Sequence, residues 1–114
     1  YPVIAFGQEF THRRSQQNLA GDSANAEQLE NLSSDKQVTA ATPPTFIWHT
    51  NEDNGVLPEN SVAFYLALRK AKVPAELHIY ERGGHGLGLA RSQPGASAWP
   101  QRCSEWLRSR ELLE

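Results

Sequence analysis

The stretch from residue 43 to residue 89 constrains the fold of this chain more than any other. It begins with Thr45–His49, a short apolar run rich in β-forming residues that lies between a proline pair and a polar turn. Such a run predicts a strand buried on both faces, as parallel sheets require. A helix from Pro58 to about Lys72 and a second strand at Glu76–Tyr80 follow. Strand, helix and strand in this order predict a right-handed crossover in an α/β fold.

Two chemically distinctive loops follow the predicted strands. The acidic turn Asn51–Gly55 comes after the first strand, and Gly83–Gly86, which contains His85, comes after the second. Open α/β sheets carry their chemistry at the carboxyl ends of the strands, so we expect Asp53 and His85 to lie at one edge. Glu52 is the alternative acid. A plain turn with an incidental surface histidine is the alternative interpretation of both loops.

The order of these residues and the motifs around them follow a known pattern. An acid followed by a histidine matches the last two members of the hydrolase order Ser, Asp, His. The segments that match a known group are Pro43–Phe46, His49, Thr50, Asp53, Pro58–Ser61, Ala67–Ala71, Val73–Tyr80 and Gly83–Gly86. Through them the chain resembles the C-terminal half of an α/β-hydrolase of the group that includes acetylxylan esterases, dienelactone hydrolases and prolyl oligopeptidase-like enzymes.

The resemblance implies a fold and a pair of site residues. It implies a partial α/β-hydrolase sheet of about three parallel strands with flanking helices. It also implies that Asp53 is the triad acid and His85 the general base. The half of such an enzyme that carries the nucleophile elbow and the oxyanion hole would precede Tyr1. The chain lacks an initial Met, so we expect either a fragment or a removed start residue.

The remaining segments are placed around this central unit in one partial domain. Tyr1–Phe6 predicts a strand. Residues 7–42 are polar, with one helix near Ala24–Leu32, and the resemblance implies a cap-like insertion over the active site. A surface excursion between two core strands is an equally good interpretation. Residues 91–114 predict a loop and an amphipathic helix, in which Leu113 continues the apolar repeat, and this helix is expected to cover the same sheet.

Ser23 is the serine that most closely imitates a nucleophile elbow. The sequence around it, Gly21 to Asn25, lacks the second glycine of G-x-S-x-G, and no predicted strand precedes it. The interval of about 30 residues to Asp53 is also too short for the elements that normally intervene. A helix N-cap, formed by Ser23 or Asn25, is the better interpretation.

Composition excludes several other classes of function. A net charge of −2 and a pI near 6.1 give no basic surface for nucleic acid or membrane. His49 and His78 lie within predicted strands and are expected to be core or sheet-face residues. The histidines show no zinc spacing, and Cys103 has no partner motif, so we expect neither a metal nor an organic cofactor.

The resemblance implies a serine esterase that cleaves carboxylic esters, with acetylated carbohydrate as a plausible substrate. Because the serine would lie outside these residues, we expect the chain alone to be inactive. Its partner would be the missing half of the enzyme or a second copy of the chain. The alternative is a non-enzymatic relic or fragment stabilised as a homodimer. A self-sufficient hydrolase built on Ser23 is the least favoured hypothesis.

Overall fold

The computed structural model describes residues 1–114 and contains a two-stranded parallel sheet with helices on both faces. In chain order the elements are α1 (Arg13–Ala20), α2 (Ala26–Leu32), β1 (Thr45–Thr50), α3 (Glu59–Lys70), β2 (Ala75–Tyr80) and α4 (Trp99–Arg108), with 3₁₀ turns at Ser34–Lys36 and Ala96–Ala98. None of these helices has the length and apolar character that a membrane crossing needs.

The predicted crossover is formed by β1, α3 and β2. The two strands pair in parallel, with Thr45 opposite Ala75 and Thr50 opposite Tyr80. Leu68 of α3 is fully buried in a core with Ile47 and Val73. The helix ends at Lys70, and Lys72 then takes a left-handed φ of 60° that turns the chain back towards the sheet. The strand–helix–strand prediction is therefore confirmed.

The two faces of the sheet pack against different helices. Because side chains alternate along a strand, Ile47 faces α3 while Phe46 and Trp48 face the other side. On that side the ring of Trp48 stacks on Trp99 of α4 at 5.0 Å between ring centroids. The C-terminal helix covers the sheet as expected. It ends earlier than the apolar repeat suggested, so Leu113 lies beyond it.

Residues 1–6 are the main departure from the sequence-based prediction. The sheet has two strands instead of about three, and residues 1–6 are not one of them. The backbone N–H groups of Ile4 and Ala5 donate to the side-chain Oδ1 of Asn60, at 3.0 and 3.1 Å. The Tyr1 amino group donates to the Trp48 carbonyl oxygen at 2.9 Å, but a backbone ladder with β1 does not form. Ile4, Ala5 and Phe6 are buried nonetheless, and residues 1–3 are half-buried.

The polar segment from residue 7 to residue 42 contains two short helices. Asn25 caps α2: its Oδ1 accepts the Gln28 N–H, and the Gln28 side chain accepts the Asn25 N–H, both at 2.9 Å. This reciprocal capping box decides between Asn25 and Ser23 as the N-cap residue. Helix α1 was not predicted, because its sequence is polar and none of its residues is buried.

Candidate active site

Asp53 and His85 are in direct contact at the carboxyl end of the sheet. The loops after β1 and β2 bring them together across 32 positions of sequence, with 2.8 Å between Asp53 Oδ2 and His85 Nδ1. The carboxylate is fully buried, whereas the His85 side chain is 45% exposed. Since Nδ1 faces the acid, Nε2 is the ring nitrogen that points away from it. A buried carboxylate beside a solvent-accessible imidazole is an arrangement that can orient a histidine for proton transfer.

The surroundings of Asp53 keep its carboxyl group ionised. Burial alone would raise the pKa of this group, but hydrogen bonds from the Val56 N–H, the His85 ring and the Gly55 N–H outweigh it and lower the pKa below its ordinary value. Both backbone donors reach Oδ1 at 2.9 Å. One oxygen therefore anchors the carboxylate to its own loop, and the other meets the imidazole.

Gly55 is a site residue that the sequence analysis did not single out. A Cβ atom at this position would lie 3.4 Å from the Cβ of His85 and 3.4 Å from Oδ1 of Asp53. These distances lie at the near limit of ordinary van der Waals contact, so the acid loop and the histidine loop pack against each other at Gly55. The Asp-Asn-Gly turn in the sequence carried a signal for a tight turn, but not for this contact.

Glu52, the alternative acid, binds the histidine loop instead of the imidazole. Its Oε2 accepts the N–H of Gly83 at 2.9 Å. Gly83 itself is buried with a φ of 124°, and a Cβ there would lie 2.7 Å from Leu87 Cδ1 and 3.2 Å from Thr50 Cγ2. Only glycine fits this backbone position. The structure thus favours Asp53 as the partner of His85 and leaves Glu52 as a second tie between the two loops.

Tyr1 is another contact of the site that sequence reasoning missed. Its ring lies 4.7 Å from the His85 ring between centroids, and its hydroxyl accepts the Gly88 N–H at 2.9 Å. The aromatic ring therefore covers one side of the imidazole and also holds the loop that carries it. No sequence signal links residues so far apart in the chain.

The other candidates lie outside this pair. Ser23 is exposed in the turn before α2, and the hydrogen bonds of Asp53 and His85 go to other residues. His78 lies on the α4 face of the sheet, with its Nε2 2.6 Å from Glu76 Oε1. No group of three or more His, Cys, Asp or Glu side chains is arranged to hold a metal ion.

Comparison with known proteins identifies the family to which this chain belongs. The sequence profile of the prolyl oligopeptidase family matches residues 3–109, and the chain belongs to that family. It is 44% identical over 93 residues to endo-1,4-β-xylanase B of Butyrivibrio fibrisolvens, and the matched region covers 82% of this chain and 14% of that protein. It is 29% identical over 113 residues to the acetylxylan esterase of Xylanibacter ruminicola, and the matched region covers 96% of this chain and 24% of that protein.

Solved structures agree with this assignment. The acetyl ester-xyloside bifunctional hydrolase of Caldicellulosiruptor lactoaceticus superposes with a TM-score of 0.96 at 42% identity, over 100% of this chain and 42% of that one. A carboxylesterase of Lactobacillus plantarum gives 0.74 at 28% identity, over 100% of this chain and 44% of its own. The chain therefore spans less than half of these proteins. The predicted resemblance and the partial α/β-hydrolase fold are confirmed.

Proposed function

We propose that this chain supplies the acid and the general base of a serine esterase, with Asp53 as the acid and His85 as the base. The observation that carries the proposal is the 2.8 Å contact between a fully buried carboxylate and an exposed imidazole. The nucleophilic serine and the oxyanion hole lie outside residues 1–114 in this proposal, because no strand–Ser–helix elbow occurs within them. The chain alone is then inactive.

The geometry supports an acyl-enzyme mechanism. His85 Nε2 takes the proton of the serine hydroxyl as the serine oxygen attacks the ester carbonyl, and the imidazolium is stabilised by Asp53. The tetrahedral intermediate collapses, the C–O bond to the alcohol breaks, and His85 returns the proton to the leaving alkoxide. A water molecule then gives a proton to His85 and attacks the acyl-enzyme. Collapse of the second intermediate releases the carboxylic acid and restores the serine hydroxyl with that proton.

Acetylated carbohydrate is the substrate class that we propose. One of the similar proteins is named as an acetylxylan esterase, and another as an acetyl ester-xyloside bifunctional hydrolase, a name that includes an acetyl ester activity. A third is named as an endoxylanase, but the chain covers only 14% of it. Glycoside hydrolysis needs a pair of carboxyl groups beside the sugar, roughly 5–9.5 Å apart. Asp53 is fully buried, with both its oxygens engaged in hydrogen bonds, so it suits the orientation of a histidine better than direct contact with a sugar.

The partner that completes the fold packs, in this proposal, beside β1. An apolar groove of about 340 Å³ lies there, lined by Tyr1, Pro2, Ile4, Thr45, Phe46, Ile47, Trp48 and Phe64. Since an uncovered apolar strand edge promotes association, we assign the groove to the remainder of the hydrolase sheet. A stable homodimer of the 114-residue chain, measured by light scattering, would instead support the alternative of a self-paired relic.

A chimera tests the catalytic proposal. This chain replaces the matching region of the Caldicellulosiruptor hydrolase, and hydrolysis of 4-nitrophenyl acetate is measured. We expect activity in the chimera and a fall in kcat/KM of about 10³–10⁴-fold in Asp53→Asn and in His85→Gln. In Asp53→Asn the amide oxygen must face the Gly55 and Val56 donors, so its NH₂ group faces Nδ1 and forces the proton onto Nε2.

The matched control is Glu81→Gln, an exposed residue in the same loop as His85, which is expected to keep kcat/KM within about twofold. Glu52→Gln separates the two acids, because it should lose far less activity than Asp53→Asn. The reverse ranking would make Glu52 the acid. An active chimera that tolerates both Asp53→Asn and His85→Gln would overturn the proposal entirely.

A further inference from the structure

A second histidine lies directly behind Asp53 and has no part in the mechanism above. His49, on β1, is fully buried. Its Nε2 lies 2.7 Å from the Val56 carbonyl oxygen, and its Nδ1 lies 2.7 Å from the Ser61 hydroxyl on α3. The same Nε2 is 3.3 Å from Oδ2 of Asp53, the oxygen that meets His85.

The Val56 carbonyl fixes the proton on one ring nitrogen. A carbonyl oxygen can only accept, so Nε2 carries the proton and donates it to Val56. The Ser61 hydroxyl can either donate to Nδ1 or accept from it, so this partner suits both states of Nδ1. Burial lowers the pKa of His49, which favours the neutral ring, in which Nδ1 accepts the Ser61 hydroxyl proton. The contact of Nε2–H with Asp53 is the same in both states. It places the positive end of an N–H dipole beside the carboxylate.

Val56 connects this ring to the acid a second time. Its carbonyl accepts from His49, while its N–H donates to Oδ1 of Asp53 at 2.9 Å. His49 thus holds the turn whose backbone holds the carboxylate, and Ser61 anchors the ring to α3. The acid loop is fixed to a strand and a helix through one imidazole.

We propose that His49 is a positioning residue that keeps Oδ2 of Asp53 directed at Nδ1 of His85. The inference rests on the proposed role of the Asp53–His85 pair. If the Val56 carbonyl loses its donor, the turn is free to rotate, and the carboxylate no longer selects the His85 tautomer that carries its proton on Nδ1. A merely structural histidine would affect stability and leave this tautomer unchanged.

The test is histidine-selective ¹⁵N NMR of the full chain, which contains four histidines. The ratio of Nδ1–H to Nε2–H tautomers of neutral His85 is read from its ring ¹⁵N shifts and assigned with His85→Gln. We expect Nδ1–H to dominate in the wild type and Nε2–H in Asp53→Asn. In His49→Leu we expect the ratio to fall at least about threefold.

The matched control is Thr50→Val, the next residue of β1. Thr50 is fully buried, its Oγ1 has no hydrogen-bond partner, and the substitution should leave the ratio unchanged. If His49→Leu fails to fold, Ser61→Ala decides the question and is expected to lower the ratio by less. If the tautomer ratio of His85 stays at its wild-type value in the variant that folds, but shifts in Asp53→Asn, the proposed role of His49 is overturned and the Asp53–His85 pair is retained. An unchanged ratio in Asp53→Asn overturns the proposed catalytic pair as well.

Discussion

The crossover unit (residues 45–80) and the leading segment (residues 1–42) are held in place by different means. In the crossover unit, parallel backbone pairing and the apolar core around Leu68 fix the positions of the elements. In the leading segment the backbone of the buried residues Ile4–Phe6 is bound by buried polar side chains instead of a neighbouring strand. The N–H groups of residues 4 and 5 bind Asn60, and that of residue 6 binds Ser33.

Because of this difference, the Asp53–His85 site is held mainly by the crossover unit and depends little on the leading segment. Asp53 and His49 belong to the crossover unit, and His85 follows directly from its second strand. The leading segment reaches the pair through Tyr1, whose ring lies against the imidazole. We therefore expect perturbations of the core to affect the whole molecule. Perturbations of the buried polar contacts should loosen the leading segment and leave the Asp53–His85 contact in place.

The largest expected effect on stability is in the core of the crossover unit. Leu68→Ala should lower the free energy of unfolding by about 2–5 kcal/mol, because it leaves a cavity in a fully buried site. Leu66→Ala on the same helix is the matched control. Leu66 is 58% exposed, and its truncation should cost less than about 0.5 kcal/mol. Equal losses in urea denaturation would contradict the assignment of the core.

Asn60→Ala should have the next largest effect. It leaves the Ile4 and Ala5 N–H groups without their buried acceptor, at a cost of about 2–3 kcal/mol. Hydrogen exchange should show these amides losing protection while the β1–β2 ladder keeps its own. Asn18→Ala, at an exposed position of α1, is the control. Equal loss of protection in both regions would show that they unfold as one unit.

Ser33→Ala should have a smaller effect in the same segment. Its hydroxyl accepts the Phe6 N–H at 2.9 Å and donates to the Leu29 carbonyl at 2.7 Å, so its removal should cost about 1–2 kcal/mol. Ser23→Ala, at an exposed turn position, is expected to be close to neutral in the same denaturation experiment. A neutral Ser33→Ala would mean that water replaces the hydroxyl.

The Asp53 carboxyl group should make the free energy of unfolding depend on pH. The pKa of Asp53 is lowered in the folded state, so its stabilising contribution is complete above the unfolded-state pKa, about 3.9, and is lost as the pH falls through the folded-state value. Below about pH 4 the free energy of unfolding should therefore fall more steeply in the wild type than in Asp53→Asn. Parallel curves would show that the carboxylate gains no stabilisation on folding.

Sequence patterns predicted the parts of the molecule that backbone periodicity controls. The apolar run at Thr45–His49 and the second strand predicted the crossover, and the positions of Asp53 and His85 after the two strands predicted that they lie together at one edge of the sheet. The state of residues 1–6 was not predictable in this way, because the N–H groups of Ile4 and Ala5 bind the side chain of Asn60, which lies 56 and 55 positions away in the sequence. The contact of Tyr1 with His85 likewise depends on tertiary structure alone.

The most direct test of the central claim is intact-mass detection of labelling by a fluorophosphonate probe. The account predicts no adduct on the 114-residue chain, because the acid and base are present without an activated serine. It predicts an adduct on the chimera with the Caldicellulosiruptor hydrolase, strongly slowed in His85→Gln. An adduct on the chain alone that disappears in Ser23→Ala would contradict the account and establish a self-sufficient hydrolase built on Ser23.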